Sequence, residues 1–179
     1  MILPIYIYNH PVLRQPTIEV SKNDFMFNDL KLLVRDMYET MHNADGSGLA
    51  APQIGSNGRI LVIETEITDG VVFKGTFINP QILTSGGELF SFTEGCLSLP
   101  GIQAQVVRPG IILLHWFDED WKEHKETFSG LPGRILQHEI DHLDGKLFID
   151  HLEVEDKLKL SIALSKIEQK EIEYKYATI

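Results

Sequence analysis

The sequence predicts an α+β fold in which antiparallel β-strands surround a central helix, with one further helix towards each end of the chain. Segments rich in β-branched and aromatic residues follow one another through the middle of the 179-residue chain, with no helical segment between them. Strands adjacent in sequence favour antiparallel pairing over crossover connections. Apolar residues at helical spacing lie before and after this region. No internal repeat or long linker is visible, so we expect a single domain over 1–179.

The first helix is predicted over 27–42. Apolar residues recur there at i, i+3, i+4, i+7 and i+11, which is one helical face. They are Leu30, Leu33, Val34, Met37 and Met41. The sequence Asn-Ala-Asp-Gly at 43–46 favours the end of this helix.

The strands are predicted from β-rich runs bounded by Gly, Pro, Asn and Asp. Turn residues at 68–70 and 85–87 separate some of them. The predicted strands are 59–64, 71–79, 82–83, 89–93, 102–107, 111–117 and 122–128.

The second helix is predicted over 131–144, because Pro132 suits a first helical turn and Gly145 suits the position just after a helix end. A short extended piece should follow at 147–149.

The last helix is predicted over 154–174. One face carries Leu160, Leu164 and Ile167, which we expect to pack on the body of the protein. The other face mixes Glu and Lys, with no basic cluster suited to a nucleic acid.

The composition excludes several classes of protein. Asp and Glu number 26 against 16 Lys and Arg, and a net charge of −10 makes direct nucleic-acid binding unlikely. No apolar run reaches the roughly 20 residues that span a bilayer, and the N-terminus lacks the basic start of a secretory signal. Cys96 is the single cysteine, so no internal disulfide forms. These features predict a cytoplasmic protein without a membrane partner.

The predicted second helix contains His138-Glu139-Ile140-Asp141-His142, an H-E-x-x-H sequence. Four residues separate the two histidines, so both imidazoles lie on one face and can reach one metal ion. Glu139 lies beside them, where it could move protons for a bound water. The alternative is a helix with two unrelated surface histidines and a solvated acid.

A catalytic metal needs a third protein ligand and an open position. Cys96, in the loop 93–100, is the best candidate because a thiolate is a strong ligand. Taken alone, a free cysteine is more often a small buried hydrophobe. The segment 46–55 is also unusual, since Gly46 and Gly48 would permit close backbone approach to a ligand, although a buried turn is the simpler interpretation.

Together these three segments resemble the three signature motifs of the peptide deformylases, in the same order and at similar separations. The matching residues are 48–53 (Gly-Leu-Ala-Ala-Pro-Gln), 94–98 (Glu-Gly-Cys-Leu-Ser) and 137–143 (Gln-His-Glu-Ile-Asp-His-Leu). The similarity extends over about residues 5–152.

The resemblance implies a metal-dependent hydrolase that removes the formyl group from the N-terminal formylmethionine of nascent polypeptides and releases formate. It implies that Cys96, His138 and His142 hold one divalent ion, Fe²⁺ in the native enzyme and Zn²⁺ or Ni²⁺ in preparations. Glu139 would then transfer protons.

The resemblance also assigns the groups around the reacting carbonyl. The Gln53 side-chain amide and the Leu97 backbone N–H would stabilise the oxyanion. The Gly48 backbone would bind the first peptide unit of the substrate.

The methionine side chain requires an apolar pocket. Phe92, Leu131 and Ile135 are plausible walls, and membership of the general core is an equally good interpretation of them. In bacterial relatives the C-terminal helix can help the enzyme dock near the ribosomal exit tunnel. Here we expect any ribosome contact to be weak and transient.

Two other functions remain open at this point. A zinc endopeptidase shares H-E-x-x-H but takes its third ligand downstream, and it would explain neither Cys96 nor 48–53. A structural metal site needs four closed ligands, so His115, His124 or His151 would have to complete it.

Overall fold

The computed structural model describes residues 1–24 and 29–179 and has an α+β architecture. Its strands form one antiparallel sheet in the order β1-β2-β3-β4-β5. The strands are β1 (Gly48–Ala50), β2 (Ile60–Thr68), β3 (Val71–Cys96), β4 (Leu99–Phe117) and β5 (Glu123–Ser129). The described α-helices are α1 (Asp29–Asn43), α2 (Gly130–Leu143) and α3 (Val154–Glu168).

Strands β3 and β4 are longer than the sequence predicts, because predicted breaks within them are irregularities of pairing. The segments 71–79, 82–83 and 89–93 all belong to β3, and 102–107 and 111–117 both belong to β4. A register shift between Gly86 and Leu89 contains the glycine pair that predicted a turn. Gly87 has φ +76° there. A bulge takes up the one extra residue of β3 without ending the strand.

Two tight turns connect the long strands. The turn between β2 and β3 has Asp69 at φ 51° and Gly70 at φ 80°, as a two-residue hairpin of the primed type requires. The prediction of a turn at 68–70 is therefore confirmed. Between β3 and β4, Cys96 pairs directly with Leu99, so Leu97 and Ser98 form a second two-residue turn.

Helix α1 covers one side of the core. It buries the predicted face, with Leu30, Val34, Met37 and Met41 at most 6% exposed and Leu33 half-buried. The predicted start at 27 lies outside the described residues, and the helix ends at Asn43, one residue beyond the prediction.

Helix α2 packs against β1, β2, β4 and β5 and is almost wholly buried from Pro132 to Leu143. It starts one residue earlier and ends one residue earlier than predicted. Gly145 follows it at φ +73°, where a Cβ would lie 2.8 Å from the Arg14 carbonyl oxygen. A side chain there would be strained and would also clash, so the predicted role of Gly145 is confirmed.

The C-terminal region departs most from the prediction. The piece 147–149 is not extended, because Phe148–His151 form a 3₁₀ turn that buries Phe148 and Ile149. Helix α3 ends at Glu168 and not at 174, and Lys170 turns the chain at φ 56°.

Helix α3 rests on the body of the protein through its predicted apolar face. Ile167 is fully buried, and Leu160 and Leu164 pack against the same cluster, which includes Val106 and Phe148. Within the described residues no helix has both the length and the apolar character needed to cross a membrane.

Candidate active site

Three potential metal ligands converge where the end of β3 meets helix α2. The ligand atoms of Cys96, His138 and His142 all lie within 4.8 Å of one another. Cys96 Sγ is 3.1 Å from His142 Nε2. The histidines meet because they are one helical turn apart, with ring centroids separated by 5.1 Å.

The electrostatics of this group favour a thiolate. Burial raises the pKa of the Cys96 thiol, but the facing His142 and His138 lower it by more, to about 5. Conversely, the thiolate and the Glu94 carboxylate hold the pKa of His138 well above its usual range against the effect of burial. A thiolate is the form of cysteine that binds metals.

Glu94, two residues before Cys96, orients His138. Its Oε2 lies 2.9 Å from His138 Nδ1, so the imidazole directs Nε2 towards the thiol. Arg108 donates to both Glu94 oxygens, at 2.7 and 3.0 Å, and Arg134 donates to Oε1 at 3.1 Å. Burial raises the pKa of the Glu94 carboxyl, but His138 and Arg108 hold it well below its usual range.

Arg108 links this carboxylate to a second one on α2. Its Nη1 donates to Asp141 Oδ2 at 2.6 Å, and His151 Nε2 lies 2.7 Å from the same oxygen. Glu94 appears in the sequence only as part of a family-like motif, and neither Glu94 nor Arg108 is among the site residues predicted from the sequence. The sequence did contain a signal for both residues. Glu94 is a carboxylate two residues from a candidate metal ligand, and Arg108 is one of few arginines in the chain.

The structure does not favour a closed four-ligand site in the part of the chain that it describes. His151 pairs with Asp141, His115 with Glu123 at 2.8 Å, and His124 with Asp118 at 2.7 Å. None of these histidines joins the group formed by Cys96 and the helix histidines. Three ligands without a fourth are typical of catalytic sites.

Glu139 faces the cavity beside the ligand group and is only 4% exposed. Within the described residues its Oε2 has no hydrogen-bond partner. Burial raises the pKa of the Glu139 carboxyl, and the nearby His138 and His142 oppose that effect. An unpartnered buried carboxyl with a raised pKa is suited to proton transfer.

Gly48 makes room for this carboxyl. A Cβ at Gly48 would lie 2.5 Å from Glu139 Oε1 and 2.9 Å from its Cδ. Gly48 is not in a loop or turn but opens β1, paired with Ile63 of β2. The absence of a side chain at Gly48 therefore lets the Glu139 carboxyl lie against β1.

The Gln53 amide is held in one orientation. Its Oε1 accepts from the Ala50 N–H at 2.8 Å, which leaves Nε2 to face Ser98 Oγ at 3.2 Å and Cys96 Sγ at 3.7 Å. Leu97, the next residue after Cys96, lines the same cavity. An amide donor and a turn backbone thus lie on one side of the candidate metal position.

A cavity of about 920 Å³ opens onto these groups. Phe92, Leu131 and Ile135 all line it, and Phe92 is 43% exposed. Ile135 also packs against the core cluster around Leu136, so it belongs both to the cavity wall and to the core. The C-terminal segment 172–176 also lines this cavity, although the predicted last helix extends to 174.

The residues at this site fit a divalent metal. A thiolate and two imidazoles are ligands that Zn²⁺, Fe²⁺, Co²⁺ and Ni²⁺ accept. The Glu94 carboxylate fixes one imidazole, as commonly occurs in metal sites.

The chain is similar to known proteins of one family. The sequence model of the family described as Polypeptide deformylase matches residues 2–158. A peptide deformylase from Cytophaga hutchinsonii is 42% identical over 179 residues, which cover 98% of this chain and 96% of that protein.

Solved structures are similar over nearly the whole chain. A peptide deformylase from Synechococcus elongatus in complex with actinonin has a TM-score of 0.83 and 40% identity, covering 93% of this chain and 88% of that one. A Met-Ala-Ser-bound peptide deformylase from Acinetobacter baumannii has a TM-score of 0.80 and 30% identity, covering 85% of this chain and 99% of that one.

Proposed function

Because the chain belongs to the polypeptide deformylase family, we propose that it hydrolyses the N-terminal formyl group of nascent polypeptides and releases formate. The observation that carries this proposal is the convergence of Cys96, His138 and His142 beside the buried Glu139. The reaction consumes one water, breaks the formyl C–N bond and frees the methionine amino group.

Cys96, His138 and His142 would hold the metal, which makes α2 the central metal-binding helix of a single domain over 1–179. When bound, the ion supplies Lewis acidity, which polarises the formyl carbonyl and lowers the pKa of water. Fe²⁺ is our proposal for the native ion, with Zn²⁺ or Ni²⁺ as replacements in preparations. The soft thiolate and the imidazoles are compatible with all three.

Glu139 takes a proton from the attacking water and delivers it to the leaving nitrogen. Its burial supports the first step, because burial raises the pKa of the Glu139 carboxyl and so makes the carboxylate a stronger base. Among the residues that the structure describes, its Oε2 has no hydrogen-bond partner, which leaves this oxygen available for the proton.

Gln53 and Leu97 stabilise the negative charge that develops on the formyl oxygen. The Ala50 N–H fixes the Gln53 amide before substrate arrives, so its Nε2 needs no reorganisation during the reaction. The Gly48 backbone binds the first peptide unit from the opposite side, at the start of an edge strand.

Phe92, Leu131 and Ile135 form the pocket for the methionine side chain. An unbranched side chain with three rotatable bonds suits an apolar recess between a helix and a strand. The Met-Ala-Ser peptide bound to the Acinetobacter baumannii enzyme is what such a reaction would leave behind, and it supports a cleft open to the following residues.

Because its substrates would be formylated nascent chains, we propose that the protein acts in the cytoplasm. The apolar face of α3 packs on the protein's own body, so we propose that any ribosome contact is weak and transient. Co-sedimentation with ribosomes at low and moderate salt measures that contact directly.

The test is turnover of formyl-Met-Ala-Ser by Zn²⁺-loaded or Fe²⁺-loaded protein, followed as formate release. Acetyl-Met-Ala-Ser controls for the size of the acyl group, and an internal peptide such as a casein digest tests endopeptidase activity. Formate release without cleavage of internal bonds supports the proposal. Cleavage of internal bonds without formate release would support the endopeptidase and contradict the proposal.

A further inference from the structure

The turn that carries Leu97 is held by both ends of the chain. Tyr8 N–H donates to the Ser98 carbonyl at 2.8 Å, and the Tyr176 hydroxyl donates to the Leu97 carbonyl at 2.6 Å. The two carbonyls of a two-residue turn are thus both occupied, one from each terminal segment.

The two terminal segments are themselves joined. Ile5 N–H donates to the Ala177 carbonyl at 2.9 Å, and Ile179 N–H donates to the Ile5 carbonyl at 3.0 Å. Side chains of the C-terminal segment alternate between half-buried and exposed, as in a strand, so Tyr176 points inwards. Pairing with Ile5 therefore fixes the position from which Tyr176 reaches Leu97.

The Leu97–Ser98 peptide connects this contact to the metal ligand. Its carbonyl accepts from Tyr176, and its N–H faces Cys96 Sγ, with 3.4 Å between Ser98 N and the sulfur. A hydrogen bond at the carbonyl polarises the peptide and strengthens the donor on its other side. Rotation of this peptide would break both contacts, because the middle peptide of a β-turn is the unit that reorients between turn types.

We propose that Tyr176 is a positioning residue for the deformylation reaction: by holding the Leu97 carbonyl it fixes the backbone of Leu97, whose own N–H, in the preceding Cys96–Leu97 peptide, binds the oxyanion. The C-terminal segment 172–179 is then part of the active site and not only a cover for the core. The inference rests on the proposed function, since it assumes that Leu97 contacts the reacting carbonyl.

The decisive variant is Tyr176→Phe, which removes only the hydroxyl. Tyr38→Phe is the matched control, because Tyr38 is also half-buried against the same core cluster and its hydroxyl lies 3.4 Å from Thr76 Oγ1, outside the cavity. Both variants are compared with wild type as Zn²⁺-loaded protein. The measurements are kcat and KM on formyl-Met-Ala-Ser, the melting temperature, and the ¹⁵N resonance of Ser98.

We expect kcat of Tyr176→Phe to fall about 3- to 10-fold, the effect of one hydrogen bond, with KM within about twofold of wild type. The Ser98 resonance should move in Tyr176→Phe and stay in place in Tyr38→Phe, with similar melting temperatures for the two variants.

Equal kcat for the two variants, or an unmoved Ser98 resonance, would overturn the inference. A wild-type protein that releases no formate would instead refute the proposed function, and the Ser98 resonance would still report whether the contact exists. The two failures are therefore distinguishable.

Discussion

Replacing Glu94 by glutamine should destabilise the fold and weaken the metal site together. Glu94 is buried and accepts hydrogen bonds from Arg108, Arg134 and His138. Glutamine keeps the shape but replaces one oxygen by an NH₂ group that faces these donors. The buried guanidinium groups then lose their counter-charge.

The expected magnitude follows from this loss. Removing one partner of a buried ion pair costs about 3–5 kcal/mol of unfolding free energy. For a chain of this size that corresponds to a melting temperature lower by about 6–20 °C. Because His138 also loses the carboxylate that orients it, metal affinity should fall about 10- to 100-fold.

The loss of stability caused by Glu94→Gln should become smaller as the pH falls. His138 and Arg108 hold the pKa of Glu94 below its unfolded value, so the unfolded chain binds the proton more readily. The stabilisation is complete above the unfolded pKa of about 4.5 and is lost as the pH falls towards the folded pKa. The difference in stability between wild type and Glu94→Gln should therefore shrink below about pH 4.5.

The assay is thermal unfolding of the metal-free proteins from pH 3.5 to 7, together with Zn²⁺ titration at pH 7. Glu88→Gln is the control, since Glu88 lies on the same strand with an exposed side chain. If Glu94→Gln unfolds and binds Zn²⁺ like Glu88→Gln at pH 7, the Glu94 network does not support the site and the reasoning is wrong.

Two further substitutions test neighbouring parts of the site. Gly48→Ala should lower kcat about 100-fold, because its Cβ would lie 2.5 Å from Glu139 Oε1 and must displace the carboxyl. Gly86→Ala, whose Cβ would meet nothing within 4 Å, is its control, and equal kcat for both would contradict this account. Cys96→Ser should retain metal poorly, since a neutral hydroxyl replaces a thiolate. Stoichiometric iron with full activity in that variant would show that Cys96 is not a ligand.

The sequence predicted those parts of the site that depend on local spacing. His138 and His142 share a face of α2 because they are four residues apart, and the apolar period of α1 identified its buried side. The order of strands followed from their adjacency in the chain.

What the sequence did not predict depends on long-range register and on single backbone angles. Arg108 meets Glu94 because β4 pairs with the part of β3 from Ile78 to Cys96, and no local pattern specifies that register. Helix α3 ends where Lys170 adopts φ 56°, a conformation that lysine does not signal in advance. The alternation Ile172, Tyr174, Tyr176 was the available sign of an extended segment, and the Glu and Lys between them favoured a helix instead.

We propose that Glu139 moves protons beside a metal that it does not bind. Metal content and formate release, measured on the same sample of Glu139→Ala, test this proposal. We expect stoichiometric metal and a loss of turnover of at least about 100-fold, because general acid–base catalysis is removed while Cys96, His138 and His142 remain. Loss of the metal together with activity, or undiminished formate release, would contradict it.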